Sequence, residues 1–183
     1  DELLPTQVNG YYYDQMNHFS KMNSFAVVGN QSPIESYHME TSYDRNGNIT
    51  KMKRFVWNKN ELNNQSPILM DDMTYAYTPN KNQLAYINEA VTVELPSEFN
   101  DFKKDIGFMY NPADPATHDY IYDKMGRLVE DRTDGLNIEW RNDGKVSSIV
   151  NHQTRSRIDF EYDALGNRRT KAVYEKNQSN TYV

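Results

Sequence analysis

Apolar and polar positions alternate in short runs, and the runs are strongly aromatic. Tyr11 and Tyr13, Tyr75 and Tyr77, Tyr120 and Tyr122, and Phe160 and Tyr162 each stand two residues apart. Side chains two apart on a strand share one face, so each pair predicts a strand with two rings on the same side. A turn follows each run, and a return strand begins after it, with an aliphatic or aromatic residue at Phe19, Leu84 and Leu128. The pattern predicts a succession of β-hairpins.

The hairpins are copies of one unit. Its clearest form is Tyr120-Ile121-Tyr122-Asp123-Lys124-Met125-Gly126-Arg127-Leu128. It recurs from Phe160 to Arg168 with Tyr162, Asp163 and Gly166, and from Thr41 to Ile49 with Tyr43, Asp44 and Gly47. From Ile138 to Val146 the frame is kept by Trp140 and Gly144. Two copies are degenerate: Tyr11 to Phe19 has Asp14 but Asn17 for glycine, and Tyr75 to Leu84 has one extra residue with Asn82 for glycine. Asp at the first position of a type I turn caps nearby amides, and Gly or Asn at the fourth accepts the left-handed conformation. Asn17 and Asn82 are expected there. The turns are expected near 14–17, 44–47, 78–82, 123–126, 141–144 and 163–166.

A lone hairpin is marginal, so neighbours must pair edge to edge into an antiparallel sheet. The expected fold is all-β, one repeat segment over 1–183. The rings are expected to stack on one another along the sheet as its packing ladder. The anchor residues Tyr13, Tyr43, Tyr77, Tyr122, Trp140 and Tyr162 are separated by 30, 34, 45, 18 and 22 residues. The longer steps predict loop insertions near 58–67 and 96–117. The second holds Glu98 to Lys104, a short helical turn, and the prolines of Asn111 to Pro115, an exposed irregular loop.

Composition agrees with thin, half-wet sheets. The chain has 14 Tyr against 7 Phe and 2 Trp, and only 37% of its residues are hydrophobic. Tyr packs as an apolar body but needs a partner for its hydroxyl. A net charge of -6 with no basic stripe argues against a nucleic-acid partner. No apolar run is long enough for a membrane-spanning helix, so no membrane insertion is expected. The absence of cysteine removes disulfides and thiolate metal sites.

The units from Tyr120 to Leu128 and Tyr162 to Arg168, with Trp140 and Gly144 between them, resemble the Tyr-Asp repeat of RHS proteins and teneurins. The likeness is strongest from about residue 118 onward. It implies a curved, spiralling β-sheet ribbon that forms part of an RHS/YD-repeat shell. In bacterial members such a shell encloses a C-terminal toxin; in teneurins it belongs to an adhesion receptor. The segment corresponds to a region just upstream of the RHS-associated core, whose paired Asp-Pro motifs it lacks; Asp114-Pro115 is the one Asp-Pro here. The resemblance implies a secreted or cell-surface protein. Its implied partners are the rest of its own shell, an enclosed polypeptide cargo, and secretion machinery or a surface protein.

Other chemistry is weaker. His18, His38, His118 and His152 are scattered, without metal-binding spacing, and His18 is expected as a strand residue. Asp131 to Gly135 and Asn142 to Gly144 lack the alternating ligands of a calcium loop and read as hairpin turns. Asp71 and Asp72 are adjacent on a strand and should point to opposite faces, which prevents joint acid–base work. Asp14, Asp44, Asp123 and Asp163 are explained as turn caps. No catalytic, cofactor or metal residue is expected, and no cofactor.

Three functions are carried forward: a wall enclosing polypeptide cargo, a surface recognition module for a protein or glycan, and, more remotely, a glycan-active enzyme. A ribbon with open edges invites pairing, so the chain is expected joined to more chain, bound to a partner, or oligomeric rather than as a stable monomer.

Overall fold

A computed structural model describes residues 6–27, 34–56, 67–91, 110–177 and 181–182. Twelve strands run in chain order: β1 Thr6–Tyr13, β2 Phe19–Val27, β3 Ile34–Tyr43, β4 Ile49–Val56, β5 Ile68–Tyr77, β6 Leu84–Glu89, β7 Tyr120–Tyr122, β8 Leu128–Asp131, β9 Leu136–Trp140, β10 Val146–Asn151, β11 Ser156–Tyr162 and β12 Arg168–Glu175. They form two six-stranded sheets, β1 to β6 and β7 to β12, each in sequential order. The ladders are antiparallel throughout. The repeats divide between two compact units, Asp1–Ala76 with Ile87–Ile106, and Tyr77–Tyr86 with Gly107–Val183.

Each Tyr-Asp turn lies where its sequence placed it, between an odd-numbered strand and the next. Gly47, Gly126, Gly144 and Gly166 have φ near +80°, and Asn17 takes their place at +63°. Asn82 does not. The left-handed residue of that turn is Asn80, at +61°. The amide of Lys81 donates to Thr78 O at 3.0 Å, so Pro79 and Asn80 are the two central residues of the tight turn. Pro followed by a residue of positive φ is the type II arrangement, which moves the left-handed position forward relative to the type I copies.

The return strand of five of these hairpins carries a one-residue bulge at the same place. Tyr13 pairs with Phe19 but Tyr12 with Lys21. Tyr43, Tyr122, Trp140 and Tyr162 show the same step opposite Ile49, Leu128, Val146 and Arg168. Bulges bend and twist a strand locally, so the five copies apply the same bend repeatedly.

Turns of a second kind join β8 to β9 and β10 to β11. Gly135 and Arg155 are their left-handed residues, at φ +63° and +58°. Asp131 caps Asp134 N at 3.2 Å and Asn151 caps Thr154 N at 2.8 Å. Asp131 to Gly135 is thus a hairpin turn, as expected. The left-handed Arg155 has no Gly or Asn to announce it.

The exposed proline loop at 111–117 holds one piece of regular structure. Asp114 caps a single 3₁₀ turn, Pro115–Thr117, by accepting from Ala116 N. Pro at the first helical position loses no hydrogen bond, because that amide would be unpaired in any case. Thr117 Oγ1 donates to Asp114 O and accepts from Asn111 N, which closes the segment on itself. The expected insertion 58–67 and the helical turn at 98–104 lie outside the described residues, apart from Pro67.

Little is deeply buried. Val56, Met70, Met73 and Ile87 in the first unit, and Ala85 and Tyr86 in the second, are the buried hydrophobic residues among those described. Most other strand residues are half-buried on both faces.

Candidate functional site

The recurring local feature is the turn itself. Asp163 Oδ1 accepts the amides of Leu165 at 2.9 Å and Asn167 at 2.8 Å, and its Oδ2 accepts from Asn167 Nδ2 at 3.2 Å. Asp44 repeats this with Asn46 N, Asn48 N and Asn48 Nδ2. Asp123 does so with Met125 N, Arg127 N and the Arg127 guanidinium, and Asp14 with Met16 N, His18 N and His18 Nδ1. Two amides and a side-chain donor converge on one carboxylate, and hydrogen bonds to the charged form favour it. The carboxyls of Asp14, Asp123 and Asp163 are held below the usual carboxylate range, chiefly by the amide four residues on; for Asp44 the Asn48 side chain contributes most. Arg141 replaces Asp in the fourth unit. The backbone turn persists there, with Gly144 N on Arg141 O at 3.1 Å, and Arg141 pairs with Asp143 instead.

A further turn of this bonding type was not legible in the residues. Asn177 N donates to Thr181 O at 2.9 Å, and Thr181 N donates to Asn177 Oδ1 at 3.0 Å. It stands at the opposite end of β12 from the Tyr-Asp turn. Asn in place of Asp, without a preceding aromatic pair, hid it.

The anchor rings do not stack on one another between hairpins, as had been expected. Their partners come from the preceding hairpin. Tyr43 Oη donates to Phe19 O at 2.7 Å, Trp140 Nε1 to Leu128 O at 2.7 Å, and Tyr162 Oη to Val146 O at 2.9 Å. Tyr122 makes a hydrogen bond with the backbone of Leu84. In each case the backbone partner, a carbonyl acceptor for Tyr43, Trp140 and Tyr162, belongs to the first residue of the preceding return strand, beside its bulge or turn. The residue just before it covers the ring: His18 lies 4.8 Å from Tyr43 between centroids, Arg127 is 5.6 Å over Trp140, and Lys145 is 5.3 Å over Tyr162. The unit therefore reads forward as well as locally. Asp and Gly make its own turn, the next residue roofs the following anchor, and the one after that holds the anchor by its carbonyl. A polar handle on an aromatic ring is what this requires, so Trp140 substitutes for Tyr through its indole N–H. Ring contact within a hairpin is seen at Phe19, 6.4 Å from Tyr11 and 6.3 Å from Tyr13.

His18 is thus the closing residue of a turn rather than a strand residue, and it both caps Asp14 and roofs Tyr43. His38 bonds Glu40 and His152 bonds Asn137. His118 is buried in contact with Tyr110, which stacks on Tyr86 at 5.1 Å. Arg132 clamps the carbonyls of Ala116 and His118 above this cluster.

Asp71 and Asp72 point to opposite faces, as strand alternation requires. Asp71, fully buried, takes Arg54 Nε at 2.6 Å; Asp72 takes Lys53 Nζ at 3.2 Å. Both are cross-strand neighbours in the β4–β5 ladder. Desolvation is costly for a buried carboxylate, and the guanidinium directly opposite offsets it.

A shallow groove of about 450 Å³ is lined by Trp140, Arg141, Asn142 and Asp143. Among the described residues no group of three or more His, Asp or Glu is placed to hold a metal ion, and no helix is long and apolar enough to cross a membrane. The chain matches no protein-family model, and no curated protein matches it.

Proposed function

We propose that the chain is a segment of the wall of an RHS/YD-repeat shell. In this reading it is a secreted or surface protein whose curved ribbon encloses a polypeptide cargo such as a toxin. The observation that carries the reading is the forward-linked unit. A fold built by adding one hairpin to the last, with few deeply buried side chains and both sheet faces half-exposed, makes surface rather than core. The repeated bulge supports curvature, because the same local bend accumulates along the ribbon. The faces present tyrosine, asparagine and serine. Such a surface stays solvated and still holds extended chain weakly.

The test is binding of a permanently unfolded polypeptide, reduced and carboxymethylated lactalbumin, against native lactalbumin, read by fluorescence anisotropy. The wall reading expects the unfolded form to bind at least tenfold more tightly. Equal binding of both forms, or of neither, overturns it.

A further inference from the structure

The interior strands of the first sheet gather methionines on one face. Met22 stands directly opposite Met39, and Met52 directly opposite Met73. Met39 faces Arg54 while Thr41 faces Met52, so Met39 and Met52 are diagonal neighbours across β3 and β4. Opposed residues share a face, with Cβ atoms about 4.5–5.5 Å apart, and diagonal ones stand about 7–8 Å apart. Four thioethers therefore lie side by side across β2 to β5. Met73 is buried and the other three are half-buried.

Tyr75 marks where two of the sulfurs converge. Its hydroxyl lies 3.5 Å from Met73 Sδ and 3.9 Å from Met52 Sδ. One proton can serve only one sulfur at a time, and thioether sulfur is a weak acceptor. Tyr43 and Tyr162, by contrast, spend their hydroxyls on carbonyls. The charge around Tyr75 is also unbalanced. Burial raises the Tyr75 hydroxyl above its ordinary value, and the charges of Asp71 and Glu89 add to this against the pull of Arg54. Arg54 and Asp71 pair with each other. Glu89 is left over. Its Oε1 accepts the amides of Asp72 at 2.9 Å and Val91 at 2.8 Å, but its Oε2 is buried and has no hydrogen-bond partner among the described residues. Buried charges are normally paired or bound to a metal ion. Arg54, Asp71 and Glu89 together carry one formal negative charge.

We propose that Met39, Met52 and Met73 form a binding site for a soft monovalent cation, copper(I), with the Glu89 carboxylate as its balancing charge. Thioethers select copper(I), whereas imidazole and carboxylate suit harder ions, so a site of this kind needs no cluster of His, Asp or Glu. Methionine has three rotatable bonds, which let sulfurs on adjacent strands turn toward one ion while the backbone stays in place. The chain has no cysteine, so these thioethers are its softest ligands. His38, next to Met39, points to the opposite face and bonds Glu40. The inference goes beyond the wall reading and stands without it.

Isothermal titration calorimetry under nitrogen tests this, with copper(I) supplied as its weak acetonitrile complex. The natural chain should take up one equivalent. The combined variant Met39→Leu, Met52→Leu and Met73→Leu should abolish uptake; these swaps conserve volume, and an unchanged melting transition shows that the fold is kept. Glu89→Gln keeps an acceptor for the two amides and should weaken binding about tenfold, through loss of one charge pairing. Met16→Leu with Met125→Leu, at exposed turns, should change nothing. Silver(I), added to the natural chain labelled at its methionine methyls, should shift the Met39, Met52 and Met73 resonances and leave Met16 and Met125 in place. No uptake by the natural chain overturns the proposal. So does full uptake by a folded triple variant, or a silver(I) shift at Met16 and Met125 without one at Met39, Met52 and Met73. Unchanged affinity in Glu89→Gln overturns the part given to the carboxylate. The silver(I) result decides the matter even where the triple variant does not fold.

Discussion

Tyr162→Phe isolates the ring link from ring packing. The substitution removes one oxygen and leaves the aromatic body beneath Arg141 and Lys145. What is lost is a neutral hydrogen bond of 2.9 Å to the half-buried Val146 carbonyl. A net hydrogen bond contributes about 0.5–1.5 kcal/mol, and an acceptor left dry costs about 1–3 kcal/mol. Val146 is not fully covered, so water can reach its carbonyl and the lower range applies, about 1 kcal/mol. With a urea dependence of about 2 kcal/mol per molar, the midpoint should fall by about 0.5 M with unchanged slope. Trp140 fluorescence, in a Trp57→Phe background and at fixed protein concentration, reports the transition. Tyr174→Phe is the control, because Tyr174 is also half-buried in this unit and makes no side-chain hydrogen bond among the described residues. If Tyr162→Phe and Tyr174→Phe shift the midpoint equally, the hydroxyl link contributes nothing and the unit is held by packing alone.

Gly144→Ala should cost about 1–2 kcal/mol in the same urea assay, because a Cβ there meets nothing within 4 Å and the cost is that of the left-handed conformation alone; Gly144→Asn should recover most of it. Asp71→Ala should be worse, about 3–5 kcal/mol, since it strands the Arg54 guanidinium opposite a buried site, and loss of the thermal transition by circular dichroism would register it. Acid should destabilise the fold. The folded-state values of Asp14, Asp44, Asp123 and Asp163 are depressed, so their stabilisation is complete above the unfolded carboxylate value near 4 and is lost as pH falls through the folded values below it; melting temperatures between pH 6 and pH 2 check the sign. Asp131 opposes them, because burial raises it. In alkali, burial and then the Asp131 charge push Tyr120 up to about 12, so absorbance titration should find one tyrosine ionising far above the exposed ones, with stability falling from about pH 10 upward.

The hairpins were legible because their determinants are local. Asp and Gly at fixed offsets dictate a turn wherever the chain lies, and Gly47, Gly126, Gly144 and Gly166 carry the dihedrals their sequence demands. Asn82 failed where a stronger local determinant, Pro79, took over the turn. The ring links were not legible because they depend on register between hairpins. Aromatic spacing says which face a ring occupies. It does not say whether its neighbour across the gap is another ring, a cation or a carbonyl. The use of Arg127 and Lys145 as roofs follows from the bulge that sets each return strand's position. Arg155 was hidden for another reason: a four-residue turn of fixed length can force a left-handed conformation on a residue with no preference for it.

The forward direction of the links has a consequence for synthesis. The carbonyl of Phe19 waits 24 residues for Tyr43, that of Leu128 waits 12 for Trp140, and that of Val146 waits 16 for Tyr162. During translation each hairpin can close its turn as soon as it emerges, but it is clasped only when the next one arrives. The growing end therefore always carries one unclasped hairpin, and the part behind it is already fastened. A stall or truncation anywhere in the array exposes one loose unit and not a collapsed chain, and the ribosome sets the order of assembly one repeat at a time.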